Sequence, residues 1–450
     1  MNNEFSLFYS RILTELTLSV HIVFATIGVG VPLVIMIAQW LGIRKQDEHY
    51  ILMARRWTRG YAVTVAVGVV TGTIIGLQLS LLWPRFMQAA GQVIALPLFM
   101  ETFAFFLEAI FLGIYLYTWD RFQNQRKHLL LLAPVAIGAA LSAVFITIVN
   151  AFMNSPRGFA VSGGKLIHVN PLHAMFNPAV PTKVSHVLLT AFMTASFILA
   201  SIAAWHLLRG SNHVYHKKAL LLTMKLGAVF AVASAILGDF SGKFLAEYQP
   251  EKLAAAEWHF ETTSEAPLVL YGVLDEEGQI RGALKIPFAL SVLAFGNPGA
   301  VVPGLNQFPE AERPPLYIHY LFDSMVTIGV FLIVLSLTYL VGKRLRWKMV
   351  SRKWFLGLIV LGGPLAMAAI EAGWWFTEVG RQPWVLRGVL KTAESATISG
   401  NVDLMLYLFA FLYVFLSVGC VAVLIRMFRN NTIEKELADR ALAAEGRVGK

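Results

Sequence analysis

Residues 404–426 read LMLYLFAFLYVFLSVGCVAVLIR, with no charged side chain before the last position. As a helix rising about 1.5 Å per residue, such a run crosses the roughly 30 Å hydrocarbon core of a bilayer. Eight further stretches of the chain have the same character: Ile12–Ile43, Tyr61–Trp83, Leu98–Trp119, Leu129–Met153, Val184–Leu208, Ala219–Phe240, Leu316–Val341 and Trp354–Val379. A segment alone in lipid must satisfy its own backbone, so each is expected to be helical. Composition agrees, because 57% of the 450 residues are hydrophobic and only 14% are charged, against about 45–50% apolar in soluble domains. A soluble globule is excluded.

The expected fold is therefore all-α, a polytopic transmembrane bundle of nine spans. Lys and Arg gather in the connections after spans one, three, five and seven and in the C-terminal tail. Basic connections stay in the cytoplasm, which puts the N-terminus outside and the C-terminus in the cytoplasm. The same distribution accounts for the net charge of +10 without invoking nucleic acid. The chain divides into residues 1–240 with six spans, an extracytoplasmic connection 241–315, residues 316–428 with three spans, and a cytoplasmic tail 429–450. That connection holds the acidic run Asp275-Glu276-Glu277 and the turn-rich Phe295-Gly-Asn-Pro-Gly. Structureless loops of such length are uncommon and usually functional, and its scattered aromatic and apolar residues predict a folded lid. The single cysteine, Cys420, rules out an intrachain disulfide framework and thiolate metal ligation. The first span is expected to be a retained insertion signal, since acidic Glu4 and Glu15 stand where a basic start would be.

Ionisable groups inside spans cost about 2.5–3.5 kcal/mol each at mid-helix and so point to function. They are His21, Glu101, Glu108, His186, Lys225, Asp239, Asp323, Glu371 and Glu378. Neutral imidazole binds haem iron, and an opposing Met thioether gives a low-spin, electron-transferring haem. Buried His and Met are therefore candidate axial ligands, although each taken alone is equally a polar or packing residue of a bundle. His21, His186, Met325 and Glu378 fall in the outer halves of their expected spans, His21 about nine residues or roughly 14 Å below the outer end. Glu101 and Glu108 are seven apart and share a helix face, where two acids can pass protons or anchor interhelical hydrogen bonds.

Three stretches stand out together: Glu378 followed by Gly380-Arg-Gln-Pro-Trp384, Gln249-Pro-Glu-Lys-Leu-Ala-Ala-Ala-Glu257, and Phe103-Ala-Phe-Phe-Leu-Glu108. With the span number and the place of the long connection, they make nearly the whole chain resemble subunit I of the cytochrome bd-type quinol oxidases. The resemblance implies two b-type haems and one d-type haem. It implies His186 and Met325 as ligands of a low-spin b haem, His21 and Glu378 as ligands of the two high-spin haems in either order, and Trp374 and Arg381 beside them. By the same resemblance the outer connection oxidises quinol at Lys252 and Glu257, and electrons reach the high-spin pair, where dioxygen becomes water. Glu101 and Glu108, with Ser142 and Asn150 as uncharged relays, would bring protons from the cytoplasm. The expected setting is a bacterial plasma membrane with a spanning subunit II as partner and room for a small single-span subunit. Two positions depart from the family pattern: Asp323 stands where an Arg often precedes the Met ligand by two residues, and the acids of span three are seven rather than eight apart. The alternatives are a haem electron carrier without oxygen chemistry and a secondary transporter, which would show inverted repeats and broken helices.

Overall fold

The structure, a computed structural model, describes residues 2–122, 124–162 and 165–448, so Met1, Gly449 and Lys450, at the ends of the first and last sequence divisions, lie outside it. Among the described residues nine helices are long and apolar enough to cross a membrane. Spans one to four are Asn2–Lys45, Glu48–Leu82, Pro84–Tyr117 and Leu132–Asn154. Spans five to nine are Val180–Leu208, Val214–Tyr248, Ile318–Arg344, Lys353–Val379 and Val402–Asn430. Several overrun the apolar stretches that reveal them. Span one begins ten residues before Ile12, and span six continues past Ser241 to Tyr248. Hydropathy marks where a helix meets lipid, whereas its end is set by caps and turn chemistry beyond the lipid. The long connection thus starts at Gln249, and His21 lies deeper in its helix than a count from Ile12 suggests.

Spans one to four pack as one ring of neighbours and spans five to eight as a second, with spans one and five forming the seam. Span nine lies against spans one and two. Lipid is as apolar as Leu, so close backbone approach at small residues has to hold such helices together. A Cβ on Gly30 would stand 2.3 Å from Ala191 O across the seam, and one on Gly138 would stand 2.7 Å from both Ala104 O and Glu108 N. On the face opposite the long connection, the tail forms a helix, Ile433–Val448, whose Glu436 pairs with Arg56 and Arg59 of span two.

The long connection is folded, as its composition predicts. A short helix, Pro250–Ala256, leads into a hairpin in which 268–270 pairs with 284–286 and 273–274 with 280–281. The acidic run is the hairpin turn itself, where Asp275 Oδ1 accepts from the amides of Glu277 and Gln279. Helix Ala289–Phe295 follows and ends on Gly296 at φ 68°, the left-handed C-cap that glycine favours.

Gly138→Ala should destabilise the protein by about 1–3 kcal/mol by forcing spans three and four apart. A lowered thermal midpoint in detergent would report it, while Gly329→Ala, with nothing within 4 Å of its added Cβ, should leave the midpoint near that of the parent.

Candidate functional site

The candidate residues lie towards the face carrying the long connection, here called the loop face. At the loop-face end of span eight, Glu378 is held from two sides. Asn150 of span four donates its side-chain amide to one carboxylate oxygen, and Arg381 Nη2 donates to the other at 2.5 Å. Arg381 is buried, yet its Nε and Nη1 meet no acceptor. Trp374 stands one turn before Glu378 and is half-buried.

Lys252 and Glu257 come from the short helix that follows span six. Proline at its first position needs no amide partner there, so the helix starts at once after Gln249. Lys252 turns inward, donates to Thr377 O at 3.2 Å and lies 4.6 Å from the centroid of the Phe376 ring. Burial pulls its ammonium down to about 7, against the attraction of Glu378. Glu257 has no exposed surface, and neither carboxylate oxygen has a partner at full hydrogen-bonding geometry, although the Val269 backbone of the hairpin lies close enough to draw its proton affinity down. Burial, reinforced by the Asp323 carboxylate, pushes it well above the usual carboxylate range.

His21 Nδ1 lies 2.9 Å from Thr71 Oγ1. Thr71 Oγ1 also lies within hydrogen-bond distance of the carbonyls of Val67 and Gly68, and the His21 tautomer that donates Nδ1–H to this hydroxyl leaves Nε2 with a free lone pair. His186 is a half-buried residue whose buried Nδ1 has no partner at full hydrogen-bonding geometry, with the Ser234 backbone nearby. On span seven, the sulfur of Met325 sits 2.9 Å from where a Cβ on Gly373 of span eight would stand, so only glycine leaves the thioether its place. Among the described residues no three His, Cys, Asp or Glu side chains converge as a metal cage. A porphyrin iron asks only one or two axial atoms of the protein. Unpartnered imidazole nitrogens, a thioether kept free by glycine, and spare guanidinium donors suited to carboxylates fit haem.

On the face that span three turns to its neighbours, Glu101 accepts from Ser142 at 2.8 Å and Glu108 accepts from Tyr61 of span two. Asn150, the other uncharged relay expected from sequence, donates its side-chain amide to Glu378. Three groups of this region, Lys183, Glu15 and Tyr61, were not singled out from sequence, and Glu371 was named there without a role. Lys183 shares the electrostatic neighbourhood of Lys252, Glu378 and Arg381, and its spacing of three from His186 was the available signal. Glu15 neighbours Glu378 and Glu371, and both Glu371 oxygens lack a partner at hydrogen-bonding geometry. Tyr61 carried no signal, because only packing brings it to Glu108.

Fold and site together define a polytopic membrane protein that keeps cationic, acidic and imidazole groups buried beneath a folded loop. The family model for cytochrome bd terminal oxidase subunit I matches residues 9–432. A putative cytochrome bd menaquinol oxidase subunit I of Bacillus subtilis is 43% identical over 95% of this chain and 98% of its own length. The cytochrome bd ubiquinol oxidase subunit 1 of the same organism is 30% identical over 92% and 91%. The solved structure of the bd oxidase from Geobacillus thermodenitrificans is 69% identical, covers 96% of this chain and 100% of that one, and superposes with a TM-score of 0.93. The chain belongs to the cytochrome bd terminal oxidase subunit I family. It is a haem-dependent quinol:oxygen oxidoreductase subunit of the bacterial plasma membrane, with a subunit II as partner.

A buried, unanswered carboxyl is a cost to stability that function alone would retain. Glu257→Met should stabilise the fold by about 1–3 kcal/mol. The advantage over the parent should widen as pH rises above the ordinary carboxyl value of 4.5, because the raised group favours the folded state only while protonated. Thermal unfolding at a series of pH values checks both statements.

Proposed function

We propose that this subunit oxidises quinol beneath the folded loop on the outer face of the membrane and draws the protons for oxygen reduction from the cytoplasm, so that turnover is electrogenic. The observation that carries the reading is the Lys252–Glu257 segment, folded over the ends of the two spans that bear Met325 and Glu378, with both Glu257 oxygens unanswered. When bound, the haems supply the electron transfer from quinol to dioxygen: a low-spin b haem held by His186 and Met325, and two high-spin haems, one b and one d, at His21 and Glu378 in either order.

The chain's own part is orientation and proton handling. Lys252 Nζ, when charged, steadies a quinol ring oxygen, and Glu257, in its ionised form, takes a proton from a quinol hydroxyl and then releases it to the outer face. Arg381 offers Nε and Nη1 to a haem carboxylate while Nη2 keeps Glu378 in place, and Trp374 covers that side against water. Thr71 fixes the His21 tautomer that presents Nε2. Glu108, answered by Tyr61, and Glu101, answered by Ser142, hold protons at two levels of one helix face. A small single-span subunit can complete the assembly beside subunit II.

Reduced-minus-oxidised spectra with extraction of the haems test the core of this reading. Low-spin, high-spin and long-wavelength bands are expected, and a preparation showing only one low-spin band would overturn it. Glu108→Ala should slow oxygen consumption while leaving the low-spin band in place. Quinol turnover should fall as pH rises through about 7 with the loss of the Lys252 charge. In Lys252→Arg that fall should move to more alkaline pH, since guanidinium stays charged.

A further inference from the structure

His319 and Asp323 open span seven, six and two residues before Met325, and neither takes part in the chemistry described above. Both are buried to 1% exposure or less. His319 Nδ1 donates to Ala256 O at 2.7 Å, while Nε2 lies 3.2 Å from Tyr271 O and 3.3 Å from Asp323 Oδ2. Asp323 Oδ2 in turn accepts from Tyr271 N at 2.5 Å. Trp258 stacks on the His319 ring with centroids 4.0 Å apart and donates Nε1 to Leu316 O at 2.9 Å. Residues 256 and 258, on either side of Glu257, are thus each tied to the first turn of span seven. Tyr271, between the two strand pairs of the hairpin, is tied by its amide to Asp323 in the second turn and by its carbonyl to His319 in the first.

We propose that His319 and Asp323 are positioning residues for quinol oxidation: they pin the backbone around Glu257 and close the 268–286 hairpin over it, on the same helix that carries Met325. Neither need touch quinol. The two act through geometry, because buried hydrogen bonds to backbone at Ala256 and Tyr271 leave Glu257 little freedom to swing out, and a loop held closed for only a fraction of the time loses apparent affinity for its substrate by that fraction. This inference rests on reading the loop as the quinol site.

The test compares Asp323→Leu, Asp323→Asn and Glu257→Gln in the purified oxidase, each with its full haem spectrum as evidence of folding. Asp323→Leu should raise the KM for quinol about tenfold and leave kcat within about twofold, while speeding amide exchange at Tyr271. Asp323→Asn, whose side-chain oxygen can still accept from Tyr271 N, should recover most of the KM. An unchanged KM in Asp323→Leu, or an equal loss in Asp323→Asn, overturns the proposal, as does loss of the low-spin haem band in a folded His319→Gln variant, which would make the pair part of the haem pocket. If Glu257→Gln leaves quinol turnover intact, the loop reading fails instead, and the exchange rate at Tyr271 still reports on the clamp.

Discussion

A charge placed among apolar helices must be answered from within the protein, and here the answers come from other helices. Glu378 of span eight takes its donor from Asn150 of span four and its counter-charge from Arg381 just past its own helix. Glu101 is answered by span four through Ser142 and Glu108 by span two through Tyr61. Each carboxyl therefore helps to fix the register of two helices. Lipid supplies no hydrophobic drive between spans, so these polar bridges and the close approaches at Gly30 and Gly138 do the holding. At Gly138 the two devices coincide, because span four presses on the Glu108 backbone itself.

The two ends of the bundle treat polar groups differently. Towards the face opposite the loop, Tyr115 donates to Gln39 at 2.6 Å, Gln39 Nε2 lies 3.2 Å from His128 Nδ1, and His128 Nε2 lies 3.0 Å from Tyr115 O. That circuit is closed, and it joins spans one and three to the start of span four. At that end Arg59 Nε lacks a partner, whereas towards the loop face the atoms without one at full hydrogen-bonding geometry include the oxygens of Glu257 and Glu371, His186 Nδ1, and Arg381 Nε and Nη1. Buried polar atoms are nearly always paired in a finished structure. A cluster of exceptions with complementary chemistry, bases and cations beside acids, is what a protein looks like where a cofactor and a substrate complete it.

The spans were legible because hydropathy measures the property that lipid selects. Their ends were not, since the first turns of span one and the last of span six leave lipid while remaining helical. The same boundary hid two site residues. Lys183 stands immediately before Val184, where its charge closed the apolar run and gave it the look of a loop residue, and Glu15, just inside Ile12–Ile43, reads as part of an acidic start to the chain. Lys252 and Glu257 were reached only through resemblance, for an Lys and a Glu five apart in a connection carry no signal of burial. What buries them is the fold of residues 249–317 as a whole, and periodicity does not report that. The acidic run 275–277 shows the converse: a conspicuous charge cluster whose first residue serves a hairpin turn.

Asp323 gains its meaning from tertiary structure in the same way. The family pattern often places an arginine there, and an arginine side chain has donors only. It could not accept the Tyr271 amide, which Asp323 Oδ2 does at 2.5 Å, and it would face the ring of His319 as one donor against another. An acid at this position therefore belongs with an imidazole one turn earlier and with a hairpin whose amide reaches the helix. The departure from the pattern is a change of partner set. Asp323 directs the position to the chain's own loop, and the helix that bears Met325 becomes the floor on which Glu257 is set.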